Sequence, residues 1–333
     1  MTTTLLVSPE TIPLEVNGPV CLRLAAGRYT RSIRIRGSDV VVEPASEGEV
    51  EWWRCTITAE GADRLCVRDL TFRQSPHTAL VLNGPCRGAS VANCRFLACG
   101  TGGAVTLWLG EGTHDCRIAD CEFDLLGVLG RHAMLPSHTH SIGIMAAERD
   151  CTGHVIRRNR IAHYDYGIQL GETGTCEEMG RHLVAENTII APRTDGIHVK
   201  AGACRIEANH VLGARAWSIS ARAGHDSVFQ NNTLEDGYIG LNIRGKRHKV
   251  IGNRFVRVRA QALLLLKSKT NGDGFAAEDT EVHDNSFVDC GGADAGQPVI
   301  TAAGLEGPPL PESKGIVVTS PLPQRIGANS GGA

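Results

Sequence analysis

Residues 184–205, VAENTIIAPRTDGIHVKAGACR, run directly into IEANHVLGARAWSISARAGHDS (206–227), VFQNNTLEDGYIGLNIRGKRHK (228–249) and then VIGNRF. The three segments are near-repeats. Each opens on a short apolar run, reaches an Asn (Asn187, Asn209, Asn232) and turns through polar or Gly-rich residues. Each then enters a second alternating run that ends in a cation, Lys200, Arg222 or Arg244. The Asn residues lie 22 and 23 apart and the cations 22 and 22 apart, so the two marks keep a nearly fixed phase.

Working outward, the first half of the repeat recurs as LCVRDLTF, ASVANCRF, CRIADCEF, HVIRRNRI, HKVIGNRF and TEVHDNSF. Aligned, these place Leu70, Cys94, Cys121, Asn159, Asn187, Asn209, Asn232, Asn253 and Asn285 in one column. A unit of about 22 residues, lengthened by insertions in particular turns, is the signature of a solenoid. Leucine-rich repeats share the period but need a Leu-rich consensus that is missing. The units carry two or three short alternating strands, and helical periodicity is nearly absent, so the pattern predicts an all-β chain wound as a single-domain right-handed parallel β-helix. An amide in a sharp turn can bond its counterparts in the coils above and below and tolerates a left-handed backbone, which predicts an Asn ladder of structural purpose.

Composition agrees. The chain of 333 residues can bury a large core, and its many glycines and few aromatics (5%) suit short strands and tight turns. The formal net charge of -2 gives no bulk attraction to nucleic acid or acidic lipid, so neither is expected as a partner. The first residues lack a basic segment followed by an apolar one, which predicts a soluble cytoplasmic protein, and the scattered cysteines read as buried thiols. Residues 1–64 are expected to form N-terminal coils and a cap, 65–302 the repeats that carry the site, and 303–333 a C-terminal cap with a Pro- and Gly-rich, disordered tail.

Strand alternation assigns faces. In GIHVK, SISAR, LNIR and LLLLK the pairs Ile197/Val199, Ile219/Ala221, Leu241/Ile243 and Leu264/Leu266 are expected to point inward. His198/Lys200, Ser220/Arg222, Asn242/Arg244 and Leu265/Lys267 then point to solvent. With coils about 4.8 Å apart, Lys200, Arg222, Arg244 and Lys267 would stack as one column of cations. Like charges this close repel, so the column reads as a groove for an anion. Fixed cations beside a lysine favour its neutral form, which is a base suited to carbon acids. His140, Tyr164 and Arg193 share a phase at the mouth of this groove, and His225 follows Arg222 closely. With Arg244, His198 and Lys267 they are the expected substrate-binding residues. His138 and His140 also form an HxH pair, two metal ligands without an evident third.

The pair DGIHVKAG and SISARAG, 22 residues apart from Lys to Arg and followed by GKRHKVIGNRF, resembles the core of polysaccharide lyase family six, the chondroitinase B and alginate lyase group. The resemblance is best over residues 180–256. It implies a right-handed β-helix that cleaves a uronate-containing polysaccharide or oligosaccharide by β-elimination, with Lys200 as Brønsted base and Arg222 as Brønsted acid. Here Arg222 is followed by Ala223 and Gly224, where the family usually has His and Gly. Asp195 matches one of the acidic residues that hold calcium in the family, and Arg193 stands where a second is expected, so Ca²⁺ is the cofactor the resemblance admits. Arg193 or Arg244 would neutralise the substrate carboxylate. Two other readings of the same residues are an epimerase or isomerase that returns the proton to the same carbon, and a carbohydrate-binding β-helix without catalysis.

Overall fold

The computed structural model describes residues 3–125, 140–172, 179–267, 277–291, 300–304, 317–319 and 326–328, and in these the regular structure is entirely strand. Two compact units divide the chain, Met1–Asp165 and Tyr166–Ala333. Each is built from short strands that return to three parallel sheets in turn, as the 22-residue repeat predicts.

In the second unit the first sheet contains Leu183–Ala185, Arg205–Glu207, Val228–Gln230, Lys249–Ile251, Glu281–His283 and Val317–Thr319. The second sheet contains Thr188–Ile190, His210–Leu212, Thr233–Glu235, Arg254–Val256 and Ser286–Val288. The third contains Tyr166–Leu170, Asp195–Val199, Trp217–Ala221, Ile239–Ile243, Leu263–Lys267, Ile300–Gly304 and Ile326–Ala328. Consecutive coils pair in parallel without slippage, for example Arg205↔Val228, His210↔Thr233 and Ile219↔Leu241. Ile326–Ala328 is therefore a strand inside the stretch read from sequence as a disordered tail.

The first unit repeats the scheme. Its core is marked by an aromatic stack, Tyr29, Trp52, Phe72, Phe96 and Phe123, with successive ring centroids 5.3, 6.4, 4.7 and 4.5 Å apart. In the second unit the strands of the second sheet fill their inward positions with Ile189, Val211, Leu234 and Phe255, all buried. Every described cysteine is a free thiol, and burial pushes Cys116 and Cys204 up to about 12.

The column of asparagines stands one residue before each strand of the second sheet. Asn187 Nδ2 donates to Asn209 Oδ1 at 2.9 Å, Asn209 to Asn232 at 3.0 Å, Asn232 to Asn253 at 2.9 Å and Asn253 to Asn285 at 3.0 Å. The same oxygens accept the backbone N–H of the preceding Asn, and each second amide hydrogen goes to a carbonyl such as Val184 O or Ile206 O. The left-handed residue is the one before each Asn, not the Asn itself. Glu186, Ala208, Asn231, Gly252 and Asp284 have φ of 58°, 54°, 54°, 63° and 57°. The Asn is selected for its amide alone, which explains why Leu70, Cys94 and Cys121 can hold the same column in the first unit: the backbone there asks nothing special of them.

A second buried row, His182, Cys204, Ser227, His248 and Thr280, precedes the strands of the first sheet. Cys204 N donates to Ser227 Oγ and Ser227 N to His248 Nδ1, both at 3.1 Å, while His248 Nε2 donates to Arg244 O at 3.0 Å. Those partners require a neutral ring. Burial lowers both His182 and His248 from the ordinary 6.5 to about 4. As pH falls through 6.5 the unfolded chain takes up protons that the folded one refuses. Stability is therefore lost between about 6.5 and 4, by up to ~3 kcal/mol per histidine, and levels off below. Urea midpoints at pH 7, 5.5 and 4.5 check this. His248→Ser, which copies the coil before it, should flatten the slope by one proton, and an unchanged slope would refute the assignment.

Candidate active site

The third sheet of the second unit presents a face on which strict in/out alternation breaks at the same place in successive coils. Alternation from an outward Asp195 would put Gly196 inward and Ile197 outward, yet both face the core. A Cβ on Gly196 would lie 2.6 Å from Val211 Cγ1, and one on Gly240 2.7 Å from Phe255 Cδ1. The following Ile197 and Leu241 are fully buried as well. Two successive inward residues shift the outward phase, so that outward positions are three apart and then two.

Three rows result. Tyr166, Asp195, Trp217 and Ile239 are in register in the first. Gln169, His198, Ser220 and Asn242 form the second. Lys200, Arg222 and Arg244, each the residue after its strand and half-exposed, form the third, tied by Arg222 N–Val199 O and Arg244 N–Ala221 O bonds of 2.8 Å. The cation column expected from spacing is present for these three residues.

The second row is not at the solvent as alternation suggested. His198 is 3% exposed, and Ser220 and Asn242 are fully covered. The break in alternation also brings together a pair that spacing hid: the His198 Nδ1–H group donates to Asp195 Oδ2, both side chains being buried. The carboxylate assigns the tautomer and leaves Nε2 as an acceptor. Burial holds the imidazole below its ordinary value in spite of Asp195, and Arg222 and Lys200 push the same way. The Tyr166 ring meets His198 edge-on, with centroids 5.2 Å apart.

The cations differ in their engagements. Arg222 folds back along the face, its Nε donating to Ser220 Oγ at 3.2 Å and its guanidinium carbon 4.6 Å above the Trp217 ring. The Lys200 amine makes no hydrogen bond or ion pair with the described residues, which leaves it available to a ligand.

Three further expectations are corrected. Lys267 does not continue the column: Asn242 pairs with Leu264 and Ile243 with Leu265, so the place beside Arg244 belongs to residue 266. Leu263 and Leu265 are buried and Leu264 is half-exposed, a phase that a run of four leucines does not reveal in sequence. The side chain of Lys267 lies outside the described residues. Tyr164 is 1% exposed in the first unit's core, its hydroxyl accepting from Thr106 Oγ1 at 3.1 Å and donating to Cys99 O at 3.4 Å. The tyrosine in register with Asp195 is Tyr166. Calcium is also a poor fit. Asp195 gives one oxygen to His198, its neighbours in the rows are an imidazole and cations, and no cluster of three or more His, Cys, Asp or Glu among the described residues could hold a metal.

The remaining expected residues lie at the margins. Arg193 is half-exposed in the turn two residues before Asp195. His225, half-exposed after Arg222, accepts the Lys246 N–H on Nδ1 at 3.1 Å, which fixes its ring to the next coil. His140 is exposed in the first unit, two residues before the strand Ile142–Ala146, and His138 lies outside the described residues.

A family model described as a right-handed beta helix region matches residues 143–304. The fold is a right-handed parallel β-helix. Solved structures share it over nearly the whole chain. A mannuronic acid specific polysaccharide family 6 lyase from human gut microbiota is 14% identical, with a TM-score of 0.67 over 97% of this chain and 92% of that one. An alginate lyase of the same family, solved with a trisaccharide, is 13% identical with a TM-score of 0.61 over 95% and 82%. The A-module of the mannuronan C-5 epimerase AlgE4 from Azotobacter vinelandii is 12% identical with a TM-score of 0.58 over 90% and 86%. The likeness to family six drawn from residues 180–256 thus extends, as a likeness of β-helix fold, well beyond them. No curated protein matches the chain by sequence.

Proposed function

We propose that the β-helix is a carbon–oxygen lyase acting on a uronate-containing saccharide. The observation that carries this reading is the cation row, Lys200, Arg222 and Arg244, on successive coils beside the buried Asp195–His198 pair. A uronate carboxylate lying against Arg222 and Arg244 has its charge neutralised, which acidifies the hydrogen on the adjacent carbon. Lys200, which makes no hydrogen bond or ion pair with the described residues, takes that hydrogen as a proton. The electron pair forms the new carbon–carbon double bond as the glycosidic carbon–oxygen bond breaks, and the leaving oxygen is protonated by Arg222, Tyr166 or water. His198, oriented by Asp195, presents a neutral acceptor beside the reacting unit. Structures sharing the fold include lyases acting on alginate, which agrees with this chemistry.

The second reading, a C-5 epimerase, is favoured by the mannuronan C-5 epimerase among the structures that share the fold. It uses the same proton abstraction and returns a proton to the carbon without breaking the chain. Incubating the protein with mannuronan, guluronan, chondroitin and polygalacturonate in D₂O, with and without chelator, tests both. A lyase gives an unsaturated product absorbing in the ultraviolet. An epimerase gives deuterium in intact polymer, and neither signal on any substrate would sink both.

A further inference from the structure

Asn242 is unlike every ladder asparagine. It is fully covered, yet neither its Nδ2 nor its Oδ1 has a hydrogen-bond partner among the described residues. The ladder amide of the same coil, Asn232, is satisfied on both atoms. Leaving a buried donor or acceptor unmade costs about 1–3 kcal/mol per group, so such an amide is normally replaced unless something else pairs with it. The fold does not need an amide there. The same row holds Ser220 in the coil before and Leu264 in the coil after, in unbroken register.

What surrounds Asn242 selects the partner. Arg222 and Arg244 in the adjoining row carry donors only, and so match a carboxylate, which when ionised only accepts. A primary amide offers one donor and one acceptor side by side, which matches a hydroxyl or two neighbouring hydroxyls. A carboxylate and hydroxyls on adjacent carbons are the defining groups of a uronic acid. We propose that Asn242 binds a hydroxyl of the sugar unit whose carboxylate lies on the arginines. This rests on the reading of the face as a uronate site and adds the residue that selects among uronates by hydroxyl position. A hydroxyl reaches a covered amide only when a neighbour moves. Arg222, folded back over Ser220 and Trp217 in the adjoining coil, is the side chain whose outward swing would turn a guanidinium toward the carboxylate.

The test is calorimetric binding of trimers of mannuronate, guluronate and galacturonate, and of O-acetylated trimannuronate, to the full chain and to Asn242→Leu and Asn242→Ser, with urea midpoints for all three proteins. The expected result is that Asn242→Leu folds with an unchanged or higher midpoint and binds the preferred trimer about tenfold more weakly, with Asn242→Ser between. The acetylated trimer, its hydroxyls blocked, should bind all three proteins alike. Equal binding of the free trimer by wild type and Asn242→Leu overturns the proposal and leaves the uronate reading intact. A large drop in midpoint for both variants also overturns it, by showing the amide to be structural. If the wild type binds none of the trimers, the uronate reading falls and the proposal with it.

Discussion

Lys200→Ala should lower formation of unsaturated product from the preferred uronan by about 10²–10⁴-fold, the span of a lost general base. Arg222→Ala should do so by a comparable factor. The loss should fall on kcat, because Lys200 acts on a hydrogen that only becomes acidic as the reaction proceeds, whereas Arg244→Ala, at the carboxylate, should also raise KM. The two variants should keep the wild-type urea midpoint, since both side chains are half-exposed and neither belongs to the core. Full activity in either folded variant would remove the proposed mechanism. His198→Ala belongs to the same series. A role in orienting the reacting unit predicts an intermediate loss, and the Asp195→Asn variant should share it because Asp195 fixes the ring.

The second large effect is on stability. Asn232→Leu removes four hydrogen bonds at a fully buried point: those to Asn253 Oδ1 (2.9 Å) and Ile206 O (2.8 Å), and those from Asn209 N and Nδ2 (3.0 Å each). The groups left behind include a backbone N–H and a carbonyl with no water to turn to. At about 1–3 kcal/mol for each orphaned group, the expected cost is on the order of 5 kcal/mol, enough to unfold a marginally stable chain. Leucine has nearly the right volume, so the loss reports polarity rather than a cavity. A fall in the chemical midpoint of less than about 1 kcal/mol equivalent would show that the coils hold together without the ladder.

The repeat made the fold legible because one residue type, Asn, does the same job in coil after coil and its spacing survives in plain sequence. The cation column was legible for the same reason. The rest of the face was not, and each failure has a physical origin. A simple two-residue alternation puts residues three apart on opposite faces, and so it hides the meeting of Asp195 and His198 that the two successive inward residues Gly196 and Ile197 bring about. The leucine run 263–266 carries no phase, which led Lys267 into a column it does not join. Tyr164 and Tyr166 are equally good tyrosines in sequence, and only the register with Asp195 separates the core residue from the facing one. Asn242 was visible as a residue on the right strand, but its unmet amide is a property of three dimensions.

Because the coils of the second unit pair with their immediate neighbours in unbroken register, residues 206–228 form a removable cassette. Excising those 23 residues would set Asn187 against Asn232 and Val184 against Phe229, so the stack could close over the gap with its ladder intact. Lys200 would then meet Arg244 directly, and His198 would lie against Asn242. The scaffold is therefore modular where the catalytic face is not. Coils can be gained or lost by whole-repeat duplication at little cost to folding, and each such event rewrites which cation neighbours which.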